Sequence, residues 1–188
     1  MFDFVFEVED QRDWRRCGKN PFSCFFCHLL NVLGVRALLD LTYGVGSFYE
    51  HCSSLYIIAV DVAKHDWVVK PAEFHQQDAL EFLRRFHGRV DAVVLDPPFS
   101  TNKTPRRHVE QYDVLHNGRF PFSKVVQAVK LGRTKAKHVI LKYMPTLEEE
   151  IELLRLSPRH VITWRFFMRN VLANGNVVVR NASKIYIY

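Results

Sequence analysis

The stretch Val90-Asp91-Ala92-Val93-Val94-Leu95-Asp96-Pro97-Pro98-Phe99 decides how the rest of the chain is read. It opens as a β-branched apolar run, the composition of a strand covered on both faces, and such strands belong to parallel sheets flanked by helices. It then stops at a carboxylate followed by Pro-Pro and an aromatic ring. Consecutive prolines extend neither a ladder nor a helix, so the backbone stiffens where the strand ends. Ligands of open parallel sheets bind beyond the carboxyl ends of the strands. Asp96 and Phe99 are thereby expected at the functional edge. An ordinary strand-to-turn exit is the competing reading, because Asp-Pro is common in turns.

Upstream, Val35 to Leu41 forms an apolar strand with Asp40 at its tip. It runs into the glycine-bearing turn Thr42-Tyr43-Gly44-Val45-Gly46-Ser47-Phe48. The next strand, Leu55 to Val60, closes on Asp61-Val62, and Asp61 follows Asp40 by 21 residues. An acid at that strand tip and that distance is placed to meet ribose hydroxyls. Glu73 to Gln77 is a shorter strand closing on Asp78-Ala79. A helix from Leu80 to Phe86 follows, with Gly88 as its stop.

Downstream, Ser100 to Gly118 is polar and basic without periodicity, the pattern of a lid. A helix from Pro121 to Leu131 leads into Arg133, Lys135 and Lys137. A strand from His138 to Met144, a helix from Leu147 to Leu156 and a strand from His160 to Met168 complete the alternation. Asn174-Gly175-Asn176 signals a hairpin turn, and Lys184 to Tyr188 ends as a strand. The pattern predicts an α/β fold: a doubly wound, mostly parallel seven-stranded sheet with helices on both faces and an antiparallel edge hairpin. A chain of 188 residues, 48% hydrophobic, suits a single domain spanning 1–188. Residues 1–34 are an N-terminal segment and helix, and residues 35–188 the core. Residues 1–19 carry no assignable pattern. Pro21 to Gly34 reads as a helix capped by Ser23.

The four cysteines, Cys17, Cys24, Cys27 and Cys52, are too few for a secreted disulfide framework at this length. Cys24-x-x-Cys27-His28 matches a haem-attachment string, and Cys17 would add a metal ligand. With no further Cys/His pair adjacent, core cysteines and no metal are the expectation. No apolar run reaches transmembrane length and the first residues are acidic, so a cytoplasmic, intracellular protein away from membranes is expected. The oligomeric state is not legible. Charge divides unevenly: residues 1–100 hold 10 Lys/Arg against 14 Asp/Glu, and residues 101–188 hold 16 against 6. A basic half is the footprint of a polyanion partner, although charge runs are often solvated faces.

The dinucleotide fingerprint wants a third glycine where this chain has Tyr49, and no Gly-Lys-Ser/Thr phosphate loop exists. A nucleoside-bearing ligand without a pyrophosphate remains. On these residues the chain resembles the S-adenosylmethionine-dependent, Rossmann-like methyltransferases, in particular the amino-methyltransferases of nucleobases. Asp40 to Gly46 is similar to their Asp-x-Gly-x-Gly-x-Gly cofactor loop, with Thr42 in place of the first glycine. Asp61 is similar to the ribose-binding acid, Asp78-Ala79 to the pair at the cofactor's adenine, and Asp96-Pro97-Pro98-Phe99 to the catalytic loop.

The resemblance implies S-adenosyl-L-methionine as cofactor, held by Asp40, Thr42, Gly44, Gly46, Asp61, Val62, Asp78 and Ala79. It implies catalysis by Asp96, Pro97, Pro98 and Phe99, with Phe99 stacking on an extruded base. The target is a nucleobase amine, adenine N6 in structured RNA first. Adenine N6 in DNA, guanine N2 in RNA, a protein glutamine and a non-catalytic nucleic-acid-binding module stay open. Lys103, Arg106 and Arg107, then Lys124 to Lys142, are expected to contact phosphates.

Overall fold

A computed structural model describes residues 4–9, 17–97, 120–172 and 175–188. Its strands are β1 (Phe4–Glu9), β2 (Ala37–Asp40), β3 (Tyr56–Asp61), β4 (Glu73–Gln76), β5 (Val90–Leu95), β6 (Ala136–Tyr143), β7 (His160–Leu172) and β8 (Gly175–Ile187). Its helices are α1 (Pro21–Val32), α2 (Ala79–Arg85), α3 (Phe122–Lys135) and α4 (Leu147–Arg155), and a short 3₁₀ turn covers Ser47–Tyr49. The sheet order is β1-β7-β8-β6-β5-β2-β3-β4. Every pairing is parallel except those of β8 with β6 and β7. The seven expected strands are there. The eighth, β1, comes from the N-terminal segment and pairs with β7.

Side chains along the central strands alternate between two apolar layers, as the period of a strand requires. Leu39, Val60, Val93, Leu95, Val139 and Leu141 face one layer, shared with α2, α3 and α4. Leu38, Ile57, Ala59, Ala92, Val94 and Ile140 face the other, against Phe25, Phe26, Leu29 and Leu30 of α1. Because both faces are covered, β5 runs apolar without alternation from Ala92 to Leu95 once past Asp91. Among the described residues no helix is long and apolar enough to cross a membrane.

Caps set the helix starts. Asn20, not Ser23, caps α1: its side chain accepts the Ser23 N–H at 3.1 Å, and Pro21 presets the first turn. Ser23 is buried instead, and its hydroxyl accepts the His51 N–H at 3.0 Å. Asp78 caps α2 by accepting from Leu80 and Glu81. Thr146 and Glu149 form a capping box on α4. The hairpin β7–β8 is longer than its turn signal suggests: it pairs from His160↔Ile187 to Leu172↔Gly175, while Asn174 falls outside the described residues.

The cysteine expectation is corrected. Cys17 is bonded to Cys24 and Cys27 to Cys52, so none is a free core thiol. The pairings join α1 to segments before and after it that sequence spacing leaves unrelated.

The junction of β2 and β5 is pinned at its base by Asp91, whose carboxylate accepts the N–H groups of Arg36 at 2.8 Å and Ala37 at 2.9 Å. These bonds hold the Asp91 carboxyl below the usual carboxylate range. Asp91→Ala strips both donors of their acceptor at a partly solvated position. It is expected to lower unfolding free energy by about 1 kcal/mol, measured by urea denaturation. An unchanged midpoint would mean that the strand pairing holds the register without this carboxylate.

Candidate active site

The carboxyl ends of the strands bring four sequence-predicted acids to one edge of the sheet. Asp40 ends β2, Asp61 ends β3, Asp78 follows β4 and Asp96 follows β5. β2 pairs with β3 on one side and β5 on the other, so the chain's crossovers diverge here, where doubly wound sheets bind ligands.

Asp40 is buried. Its carboxylate accepts the Tyr49 hydroxyl at 2.6 Å and the Thr42 N–H at 2.9 Å. Burial pushes its pKa up to about 7, more than these donors pull it down. Tyr49, fully enclosed and stacked on Tyr43 at 5.7 Å, is pushed up by the same burial. Thus Tyr49, which breaks the dinucleotide fingerprint, is the group that holds the loop's anchoring acid.

The glycines of the loop do different work. Gly46 takes φ +75°, and an added Cβ would meet the Tyr43 hydroxyl at 2.5 Å and the Val69 carbonyl at 2.8 Å. Its role is internal packing. Gly44 takes φ +56°, and among the described residues a Cβ there would meet nothing within 4 Å. The Gly44 N–H donates to Asp61 at 2.8 Å, and Asp61 also accepts the Ala63 N–H at 3.1 Å. The buried Nε2 of His65 lies 3.8 Å from the same carboxylate and has no hydrogen-bond partner among the described residues. Val62, next to Asp61, offers its carbonyl to Gln76 at 3.3 Å.

Asp78 is more heavily engaged. Beyond capping α2 it accepts from the Lys124 ammonium at 2.9 Å, and Ala79 beside it is buried. Partial burial raises its pKa, but Lys124 and the two helix N–H groups outweigh that and leave it lowered. A carboxylate has about four acceptor positions, so Asp78 keeps less spare capacity than Asp61.

Thr42 replaces a glycine of the family pattern, and its side chain has a use that glycine lacks. Its hydroxyl accepts the Asp96 N–H at 2.7 Å, tying the tip of β2 to the tip of β5. The Asp96 carboxylate accepts both-oxygen contact from Lys142 at 2.9 and 3.0 Å. Burial raises the Asp96 pKa, and Lys142 opposes the rise. The Lys142 ammonium also lies over the rings of Phe22 at 5.3 Å and Phe48 at 5.1 Å, within cation–π range. Pro97 is buried; Pro98 and Phe99 fall outside the described residues, as do Lys103, Arg106 and Arg107.

Phe22, Phe48 and His65 are not foreseen from the sequence as site residues, and Lys142 is foreseen only as a phosphate contact, not as the partner of Asp96. The signal for Lys142 was its position one residue past the β5–β6 pair Leu95↔Leu141, which sets it beside Asp96. At both ends of the stretch expected to meet phosphates, Lys124 to Lys142, the ammonium has a carboxylate partner. Lys124 pairs with Asp78 and Lys142 with Asp96.

No family model matches the chain. A curated relative, an uncharacterized RNA methyltransferase from Thermotoga maritima, is 32% identical across 36% of this chain and 18% of its own length. The chain therefore spans less than a fifth of that relative. Among solved structures, a candidate RNA methyltransferase from Pyrococcus horikoshii superposes with a TM-score of 0.58 at 17% identity, covering 88% of this chain and 81% of that one. A precorrin-6y C5,15-methyltransferase from Geobacter metallireducens gives 0.54 at 10% identity, covering 88% and 87%. The fold is that of the Rossmann-like methyltransferases.

Asp40 binds its proton more tightly folded than unfolded, so the native state holds the extra proton between about pH 3.8 and about 7. Its contribution to stability is fullest below that window and is lost as pH rises through it. Asp40→Asn keeps an acceptor for the Thr42 N–H and cannot ionise. Urea midpoints of the variant relative to the parent should therefore rise steadily from pH 4 to about 7. Parallel pH profiles would show that Asp40 titrates in its ordinary range.

Proposed function

We propose that the chain transfers the methyl group of S-adenosylmethionine to an exocyclic amine of a nucleobase, adenine N6 in structured RNA before adenine N6 in DNA or guanine N2 in RNA. The observation that carries this reading is Asp96, a largely enclosed carboxylate at the tip of β5, followed by Pro97 and bonded through its N–H to Thr42 of the glycine loop. The name of the Thermotoga maritima relative supports RNA as the substrate class.

The residues present fit the cofactor. Among the described residues Gly44 leaves open space where a Cβ would stand, Asp61 has acceptor capacity left for ribose hydroxyls, and the buried Nε2 of His65 lies beside it. Asp40 and Thr42 shape the loop, Gly46 packs it, and Val62, Asp78 and Ala79 would meet the adenine. Bound there, the cofactor supplies an electrophilic sulfonium methyl group.

The chain's own contribution is electrostatic. A base amine is a poor nucleophile because its lone pair is delocalised into the ring. Asp96 and the Pro97 carbonyl accept its two N–H hydrogens, which favours the pyramidal form with the lone pair free. Pro97 is stiff, so the acceptors stand ready and little reorganisation is needed. Lys142 has a positioning role: its ammonium holds both Asp96 oxygens and opposes the rise in pKa that burial causes. Each carboxylate oxygen has lone pairs for both the ammonium and the incoming amine. After transfer the nitrogen carries an extra proton, which Asp96, with its raised pKa, takes up.

A second reading, a nucleic-acid-binding module without turnover, is favoured by one observation: Lys142 already contacts both Asp96 oxygens. The two readings part on mutation. For an enzyme, Asp96→Ala is expected to cut methylation of RNA on the order of a hundred- to a thousand-fold with RNA affinity retained. Lys142→Met removes what holds the Asp96 pKa down, so the acid limb of the pH–rate profile should move to higher pH. Mass spectrometry of nucleosides from treated RNA and DNA identifies the product. A wild-type chain that binds RNA yet leaves every nucleoside unmethylated would establish the binding-module reading.

A further inference from the structure

The hairpin β7–β8 runs on past its neighbours in the sheet. The pairings set Leu95 level with Leu141, Tyr186 and Val161, so Ile162 of β7 is level with Asp96. β6 is parallel to β5, and β8 is antiparallel to both β6 and β7, so β7 runs in the direction of β5. Its carboxyl end therefore leaves the sheet on the edge that carries the candidate active site. β6 ends at Tyr143 opposite Lys184, and β1 ends at Glu9 opposite Arg165. Beyond those pairs, among the described residues, β7 and β8 pair only with each other, as far as Leu172↔Gly175. Ten residues separate Ile162 from Leu172, so the ribbon reaches roughly 30 Å past Asp96 at about 3.3 Å per residue.

The root of the ribbon is fixed beside the site. Trp164 is buried, its ring 4.9 Å from Phe25 and 5.3 Å from Phe22. Phe22 in turn lies under the Lys142 ammonium that holds Asp96. Charge on the ribbon has one sign: residues 153–188 hold six Lys/Arg and no Asp or Glu. The nearest acids in sequence are those of α4, and Glu150 among them pairs with Lys184 at the root. The strand period of two places Arg165, Phe167 and Arg169 on one face, and the register Phe167↔Arg180 puts Arg180 on the same face. All three arginines of the ribbon thus share a side, with an aromatic residue among them.

We propose that this ribbon is a nucleic-acid arm, whose arginine face lies along the phosphate backbone flanking the nucleotide presented to Asp96. The inference rests on the nucleic-acid reading under Proposed function and adds where the backbone is held. Phosphodiester is the ligand chemistry that fits. Arginine meets phosphate oxygens with two parallel N–H donors. Phosphates of one strand follow each other at about 3.4 Å, so an arm of this length passes several of them. A base beside them can stack on an aromatic ring. Contacts of this kind fix register and orientation without reading sequence, which leaves the choice of base to the site.

The test measures binding without turnover. Fluorescence anisotropy follows a labelled stem-loop RNA, with no cofactor present, from about 50 to about 200 mM salt. Arg169→Gln combined with Arg180→Gln should lower the slope of log affinity against log salt by roughly 1.4–1.8, at about 0.7–0.9 per lost phosphate contact. Arg36→Gln combined with Arg159→Gln removes the same charge from exposed positions before β2 and β7, at the opposite edge, and should leave the slope unchanged. The same stem-loop made as DNA shows which sugar backbone the arm takes more tightly. Ultraviolet cross-linking of the wild-type complex should place nucleotide adducts within residues 165–182, a readout that no misfolded variant can disturb. An unchanged slope in the ribbon variant, an equal fall in the control variant, adducts confined to other segments, or a wild-type chain that binds neither nucleic acid would each overturn the proposal. A chain that methylates nothing yet shows the slope difference would sink the methyl-transfer reading and leave the arm standing.

Discussion

The hydrogen bond from the Asp96 N–H to the Thr42 hydroxyl is the contact on which the candidate site depends. β2 and β5 lie side by side where the winding of the sheet reverses, and each ends in a loop that needs a fixed direction. At the base of the pair Asp91 collects two N–H groups of β2's start; at the tip Thr42 collects one from β5's end. Pro97 has no N–H to offer, so Asp96 supplies the last donor before the chain turns away. Locking these tips sets the glycine loop and the Asp-Pro loop in one frame.

Burial and charge at that edge are balanced closely. Four acids converge there, yet each is held differently. Asp40 is sealed in and pushed toward neutrality, Asp78 is held ionised by Lys124 and a helix start, and Asp96 stands between burial and Lys142. Like charges gathered in a partly enclosed space would repel if all were free and ionised. Assigning each a separate partner keeps the edge stable and leaves Asp61 and Asp96 as the acids best able to engage a ligand. The basic surplus of the second half is partly spent on this balance, since Lys124 and Lys142 face inward to carboxylates.

Much of this was legible in the sequence because strand tips and loops obey local rules. Val90 to Leu95 declares a covered strand by composition alone, and Asp40, Asp61, Asp78 and Asp96 fall where strands must end. What was not legible depends on register and long-range contact. Lys142 reads as one more basic residue until β6 is laid beside β5. Thr42 reads as a departure until its hydroxyl meets a backbone donor 54 residues away in sequence. Cys52 carries no local signal toward Cys27, because nothing in the intervening residues announces that the 3₁₀ turn packs on α1. The N-terminal strand was missed for the same reason: its place is defined only by β7, far down the chain.

The proposed methyl transfer requires that this strand edge be an S-adenosylmethionine site. Titration calorimetry of the full chain with S-adenosylmethionine tests it most directly, alongside Asp61→Ala. Saturable binding to one site is expected, weakened in the variant by roughly 1.5–3 kcal/mol, the worth of hydrogen bonds to a charged group. Absence of binding to the wild-type chain, or equal affinity of the two proteins, would contradict it.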